Sequence, residues 1–275
     1  MNENIEDLAA ALVDEIGKWS SVVVAFSGGV DSAVVAAAAY RALRNRSIAI
    51  TGVGCAVPQT DLLSARSVAK SIGIPHREIT TQEIQNENYV RNDAKRCYFC
   101  KTTLYGALRA WADANHYQCL MSGTNQDDLG DYRPGLQAAS EHSVVAPLVN
   151  LKITKQQVRK LAVFFQLEVA DKPASPCLAS RIAYGQSVTP ERLQNIEQAE
   201  RYLATLGFED VRVRLHADSL VRLELSIKDL PLACEPNTRQ AIAERMQQLG
   251  FKFITLDLMG RQSGSLNRVL PIVTL

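Results

Sequence analysis

Two patterns in this chain have a direct chemical meaning: cysteines at metal-ligand spacing, and a glycine run that opens a helix. The stretch KRCYFCK, Lys95–Lys101, sets Cys97 and Cys100 three positions apart between basic residues. On a helix that spacing turns both thiols to one side, as in a metal-binding or redox-active pair. A third cysteine, Cys177 in SPCLASRIAYG, is followed by Ser180 and Arg181 in a proline-rich segment. A loop thiol beside a cation is where an activated thiolate is expected. Cys55, Cys119 and Cys234 stand in apolar or featureless surroundings and read as small buried hydrophobes. The glycine run is AFSGGVDSA, in which Ser27, Gly28, Gly29, Val30, Asp31 and Ser32 bring backbone amides and two hydroxyls toward one small volume. Unpaired amides and the positive end of the helix dipole suit that volume to an anion. The plainer alternative is a tight strand-to-helix turn capped by Asp31 or Ser32. The run is not a Walker A loop, because no Gly-Lys-Ser/Thr follows, nor G-x-G-x-x-G, because Val, Asp and Ser follow the glycine pair.

The elements that must hold these residues follow from apolar patterning. SSVVVAF, SIAITGVG, HREIT and QCLMSGT read as strands, the first with no polar alternation. Between them lie an alanine-rich helix DSAVVAAAAYRALR, a helix over Asp61–Ser71 and another running through Lys101–Asn115. Strands without alternation, separated by helices, predict a parallel sheet covered on both faces, a doubly wound α/β domain. NQDDLGDYRPGLQAASEHSVVAPLVNL breaks the alternation and reads as a long functional loop, and TKQQVRKLAVFFQL as a helix capped by Thr154. Three prolines and a glycine in DKPASPCLASRIAYGQSVTP place the domain boundary near residue 186. Residues 187–275 then form a smaller α+β domain. It has a helix to about Leu206, a half-exposed antiparallel pair DVRVRLH and LVRLELS turning near Ala217–Ser219, a helix over Thr238–Leu249 and the strand FKFITLDL.

Composition narrows the function classes. Of 275 residues 47% are hydrophobic and 21% charged, the profile of a folded globular protein. A net charge of +1 makes no case for a nucleic-acid partner. No apolar run reaches the roughly 18 residues of a membrane span. MNENIEDLAAALVDEIGKW carries acidic residues where a signal peptide needs positive charge. A cytoplasmic location is expected, and there six cysteines are not expected to form a disulfide framework.

Ser27–Ser32 resembles the PP-loop, the SGGxDS signature of ATP pyrophosphatases, at every position. The resemblance implies that ATP lies with its β,γ-pyrophosphate on this loop, that a substrate oxygen attacks the α-phosphorus, and that pyrophosphate leaves. Asp31 is then the natural Mg²⁺ partner, because a hard cation bridging phosphates takes one or two carboxylates and water. Lys101 and the acidic pair Asp127 and Asp128 in GTNQDD could reach the phosphates or a second metal; the alternative is a solvated helix end and a charged loop.

An adenylylated substrate needs a nucleophile, and the chain has no room for the glutaminase that ammonia-using PP-loop enzymes carry or recruit. FSGGVDS, RCYFCK, GTNQDDLGDYRPG, SPCLASRIAYG and RVRLH, in that order and spanning most of the chain, resemble the LarE family of ATP-dependent sulfur transferases. That resemblance implies as substrate pyridinium-3,5-biscarboxylic acid mononucleotide, whose carboxylates become thiocarboxylates in making the nickel-pincer nucleotide cofactor of lactate racemase. It puts the sulfur-bearing cysteine at Cys177, substrate contacts at Ser180 and Arg181, and phosphate-binding arginines at Arg212 and Arg214, which share one strand face. It implies a homo-oligomer as well. One branch of the family gives up its own cysteine sulfur in a single turnover and lacks the CxxC pair. In the other, three cysteines hold a [4Fe-4S] cluster whose remaining iron carries extra sulfide. Cys97, Cys100 and Cys177 match the second, and three thiolates leave one iron open, as sulfur delivery requires.

Rival readings remain. The triad could be a structural zinc site completed by His76, His116 or His142, or the pair an isolated redox CxxC. The whole could be a tRNA thiolase, an ammonia-using ligase, or a non-catalytic nucleotide- and metal-binding module. Sulfur could arrive as sulfide, as a persulfide or from Cys177 itself.

Overall fold

The computed structural model describes residues 4–130, 134–173, 175–262 and 265–266. They form two compact units, one of residues 1–83 and 97–175, the other of 84–96 and 176–275. The division thus falls at Ser175/Pro176 rather than near residue 186, and a segment from the middle of the chain joins the second unit. Hydrogen bonding supplies the reason: the Asn92 amide donates to the carbonyls of Ala183 and Gln186, both at 2.9 Å, and Arg96 donates to that of Ala179 at 2.9 Å.

The first unit is a parallel sheet in the order β3-β2-β1-β4, with β1 Val22–Ala25, β2 Ser47–Val53, β3 His76–Thr80 and β4 Cys119–Met121. Alternate residues of β1 feed opposite cores. Val22 and Val24 pack with the Ile5–Gly17, Val30–Leu43, Gln59–Ile72 and Lys155–Phe164 helices, whereas Val23 joins Ile50 and Leu120 against Arg96–Ala114 and Pro134–Glu141. Burial on both faces is why β1 reads as an unbroken apolar run. Ala33–Ala39 of the helix after β1 are all buried, since only small side chains let it lie this close to its neighbours. The chain runs outward through β2 and β3, then returns to β4 on the other side of β1. The carboxyl ends of β1 and β4 therefore flank a topological switch point, where open α/β sheets bind ligands.

The expected long loop after β4 contains a helix, Pro134–Glu141. Its leucine, glutamine, alanines and glutamate favour helix, Pro134 suits the first position, and Ala138 and Ala139 are buried in the second core. Asp131–Arg133 of the GTNQDDLGDYRPG motif lie outside the described residues.

In the second unit β5 Arg212–Leu215 pairs antiparallel with β6 Leu220–Glu224, and β7 Phe253–Leu256 pairs parallel with β6. The first pair is not half-exposed as the alternation suggested. Val213, Arg214 and Leu215 are all buried, because Glu224, with no exposed surface, takes in the arginine. Arg214 and Arg222 are direct cross-strand partners that would repel each other. Glu224 separates their charges, with Oε2 2.9 Å from Arg214 and Oε1 3.1 Å from Arg222. Among the described residues no helix is long and apolar enough to cross a membrane.

Candidate functional site

In the first unit β1 delivers the chain to the glycine loop. Gly28 has φ +72°, a backbone state that side chains resist, and a Cβ there would lie 2.6 Å from the Cα of Ala65. The loop braces itself. The Ser32 hydroxyl donates to the Gly29 carbonyl at 3.0 Å and accepts from the Ser27 amide at 3.3 Å, and the Ser27 hydroxyl accepts from the Gly29 amide at 3.3 Å. Gly29 caps the Val30–Leu43 helix with no side-chain hydrogen bond, so the first-turn amides keep no capping oxygen of their own. That is the geometry of an anion site. The loop after β4 presses in from the side, where a Cβ at Gly123 would sit 2.6 Å from the Ser32 nitrogen.

Asp31 is the charged centre of this arrangement. Its Oδ1 accepts from the Asn125 side-chain amide at 2.9 Å, and its Oδ2 lies 2.5 Å from the Lys155 ammonium. Neither partner stood out in the sequence. Lys155 lies 124 positions from Asp31, and its one local signal was its place immediately after the Thr154 cap. The cap itself is as expected, a capping box in which Thr154 and Gln157 exchange hydrogen bonds. Asp127 accepts the Lys155 backbone amide at 2.9 Å and Asp128 the Asn125 backbone amide at 3.0 Å. Both carboxylates therefore hold in place the residues that reach Asp31. A carboxylate shared by an ammonium and an amide beside unpaired helix amides is suited to a polyphosphate with a hard cation.

Cys97 and Cys100 lie one turn apart at the start of Arg96–Ala114, the former exposed and the latter half-buried. Lys101 follows on the same helix, its ammonium 5.5 Å from the Tyr105 ring centroid. The Pro134–Glu141 helix approaches here, with Gly135 so near that a Cβ would meet Lys101 Cγ at 3.1 Å. Tyr98, between the cysteines, donates its hydroxyl to Glu141 at 2.7 Å. Of the three cysteines read as small hydrophobes only Cys119 is buried, and burial pushes its thiol up to about 11; Cys55 and Cys234 are exposed.

Cys177 belongs to the second unit and is half-buried, just before the short turn Leu178–Arg181. Arg181, 3% exposed, fixes that turn. It pairs with both oxygens of Glu200, at 3.0 and 3.2 Å, and donates to the carbonyls of Pro176 at 2.5 Å and Cys177 at 3.1 Å. The Ser180 hydroxyl accepts from Arg181 at 3.1 Å, and its carbonyl accepts from Arg214 at 2.9 Å. Arg212 donates to the Val211 carbonyl at 2.7 Å, with Asp210 at 3.9 Å. Burial, and next the charge of Arg181, lowers the Arg212 guanidinium from its ordinary value. An anion placed among these cations would relieve that crowding.

The donor set meets a cluster's needs in part. Cys97 and Cys100 offer two thiols on one turn, the right chemistry for iron. Among the described residues no group of three or more His, Cys, Asp or Glu side chains is gathered as a metal site.

The sequence is similar to several known proteins. Residues 1–128 match the family described as NAD synthase. An uncharacterized protein of Synechocystis sp. is 42% identical over 92% of this chain and 94% of its own length. The tRNA-specific 2-thiouridylase MnmA of Rickettsia africae is 28% identical over 70% of this chain and 63% of its own. The pyridinium-3,5-bisthiocarboxylic acid mononucleotide synthase of Lactiplantibacillus plantarum is 33% identical over 95% of this chain and 94% of its own. With that coverage, and with the loop of Ser27–Ser32 built as described, the chain belongs to the LarE family of PP-loop proteins.

Proposed function

We propose that this protein is an ATP-dependent sulfur transferase. It would adenylylate the carboxylates of pyridinium-3,5-biscarboxylic acid mononucleotide and convert them to thiocarboxylates, a step toward the nickel-pincer nucleotide cofactor of lactate racemase. The observation that carries the reading is the 33% identity to the L. plantarum synthase across nearly the whole of both chains. ATP would set its β,γ-phosphates against the amides of Gly28, Gly29 and Val30 and the hydroxyls of Ser27 and Ser32. Asp31 would hold Mg²⁺, and Lys155, now paired with Asp31, would turn to the phosphates. The substrate carboxylate oxygen then attacks the α-phosphorus, pyrophosphate leaves, and the acyl carbon carries AMP as its leaving group. The barrier falls through positioning and charge neutralisation rather than protein acid-base chemistry.

For the sulfur step Cys97, Cys100 and Cys177 would be the protein ligands of a [4Fe-4S] cluster, which would supply sulfide-level sulfur when bound. Sulfide or another sulfur donor is the co-substrate. Arg181 holds the Cys177 turn, and Arg212 with Arg214 and Ser180 would receive the substrate's phosphate. Lys101 would assist at the phosphates. The reading includes a cytoplasmic homo-oligomer. Anaerobic purification with iron and sulfide analysis and absorption and EPR spectra tests the cluster. A [4Fe-4S] signature that depends on all three cysteines supports it, and a colourless, iron-free protein overturns it. ATP conversion to AMP and pyrophosphate that depends on the pyridinium dicarboxylate tests the first step independently.

A further inference from the structure

Glu83 is a buried carboxylate of the first unit with no evident structural task. It follows β3 and is 4% exposed. Among the described residues no hydrogen-bond donor or cation is paired with it, yet its oxygens are not among the fully enclosed polar atoms. With its stem buried and its oxygens still open, the carboxylate is held where it can accept hydrogen bonds from a bound group. Its position is specific. A Cβ on Gly54 would come 1.8 Å from Oε1 and 2.8 Å from Oε2, so both oxygens lie over Gly54 and only glycine allows it.

Gly54 follows β2, which pairs in parallel with β1, Ala25 opposite Ile50. The Thr81 amide donates to the Val53 carbonyl at 3.0 Å and ties the exit of β3 to that of β2. Glu83 thus stands at the carboxyl edge of the sheet, over the strand next to the one that carries the glycine loop. Strands lie roughly 4.8 Å apart, so this place is one strand over from the loop, on the side to which a nucleotide held there by its phosphates can extend its ribose. In other open α/β sheets an acidic side chain near such a phosphate loop receives ribose hydroxyls. Two carboxylate oxygens side by side match a vicinal diol better than a single amino group.

We propose that Glu83 accepts hydrogen bonds from the ribose 2′- and 3′-hydroxyls of the ATP whose pyrophosphate lies on Ser27–Ser32. The assignment rests on the ATP reading above. The test is equilibrium binding of ATP, 2′-deoxy-ATP and 3′-deoxy-ATP to the full chain and to Glu83→Ala, Glu83→Gln and Gly54→Ala, with thermal unfolding of each variant as a folding control. A hydrogen bond to a charged group predicts that the wild type binds each deoxynucleotide about 10-fold or more weakly than ATP. In Glu83→Ala and Gly54→Ala the three nucleotides should bind alike, because the carboxylate is removed or pushed aside; Glu83→Gln should keep part of the preference. Should Glu83→Ala not fold, Glu83→Gln and Gly54→Ala carry the comparison. Variants that keep the wild-type ratio, or a wild type that binds ATP without ribose preference, overturn this assignment alone. A wild type that binds no ATP overturns the ATP reading and this assignment with it.

Discussion

Replacing Gly28 by alanine tests the loop geometry on which the nucleotide reading depends. Gly28 sits at φ +72°, and the new Cβ would lie 2.6 Å from Ala65 Cα and 3.0 Å from its nitrogen. Those are backbone atoms of a packed helix and cannot rotate away. The left-handed state costs alanine about 1–2 kcal/mol, and overpacking adds about 1–3 kcal/mol. A total of about 2–5 kcal/mol corresponds to a fall in Tm of roughly 5–20 °C for a unit of this size. Gly29→Ala is the matched control. Gly29 has φ −79°, and its Cβ would meet only Ser27 Oγ at 3.4 Å, an ordinary contact. Its stability should fall by no more than about 1 kcal/mol, the cost of alanine at a helix N-cap. Differential scanning calorimetry and ATP binding on both variants decide the matter. Gly28→Ala should melt early and lose ATP, while Gly29→Ala melts within a few degrees of wild type. Two variants that melt and bind alike would show that the left-handed backbone at Gly28 and its closeness to Ala65 do not set the loop.

Three further predictions follow from named contacts. Lys155→Met should weaken ATP binding about 10- to 100-fold and change stability by no more than about 1 kcal/mol, because the pair with Asp31 is partly exposed; unchanged ATP affinity by calorimetry would remove Lys155 from the site. Cys97→Ala or Cys100→Ala should abolish bound iron after anaerobic reconstitution while ATP affinity stays within about twofold, since neither touches the loop braces. His76, whose Nε2 lies 2.9 Å from Thr51 Oγ1, is lowered first by burial, and the Thr51 hydroxyl donates on to the Phe26 carbonyl at 2.8 Å. Because the folded pKa lies below the unfolded value of about 6.5, its contribution is complete above that pH and is lost as pH falls below it. His216, also lowered first by burial, acts in the same sense. Urea melts at pH 7.5 and 5.5 should show a loss that His76→Asn reduces.

What could be read in advance was what is local in sequence. Ser27–Ser32, the cysteine spacing and the Thr154 cap each lie within one turn or loop, and there residue type dictates geometry. The parallel sheet followed from apolar runs that only burial on both faces explains. What escaped is set by contacts between distant positions. Lys155 and Asn125 acquire meaning only where β1 and β4 come side by side, and Asn92 only through the carbonyls near residue 183. Arg214 reads as exposed until its cross-strand setting supplies Glu224. Glu83 lies in an unmarked polar stretch, and only the closeness of Gly54 distinguishes it.

In the proposed reaction sulfur reaches an adenylylated carboxylate catalytically, from the three-cysteine cluster. The most direct test is anaerobic turnover of the pyridinium dicarboxylate mononucleotide with ATP, Mg²⁺ and sulfide, with product and protein masses measured together. Catalytic delivery from the cluster gives several thiocarboxylates per chain and an intact Cys177. At most one sulfur transferred per chain, with that sulfur missing from Cys177 afterwards, would contradict it.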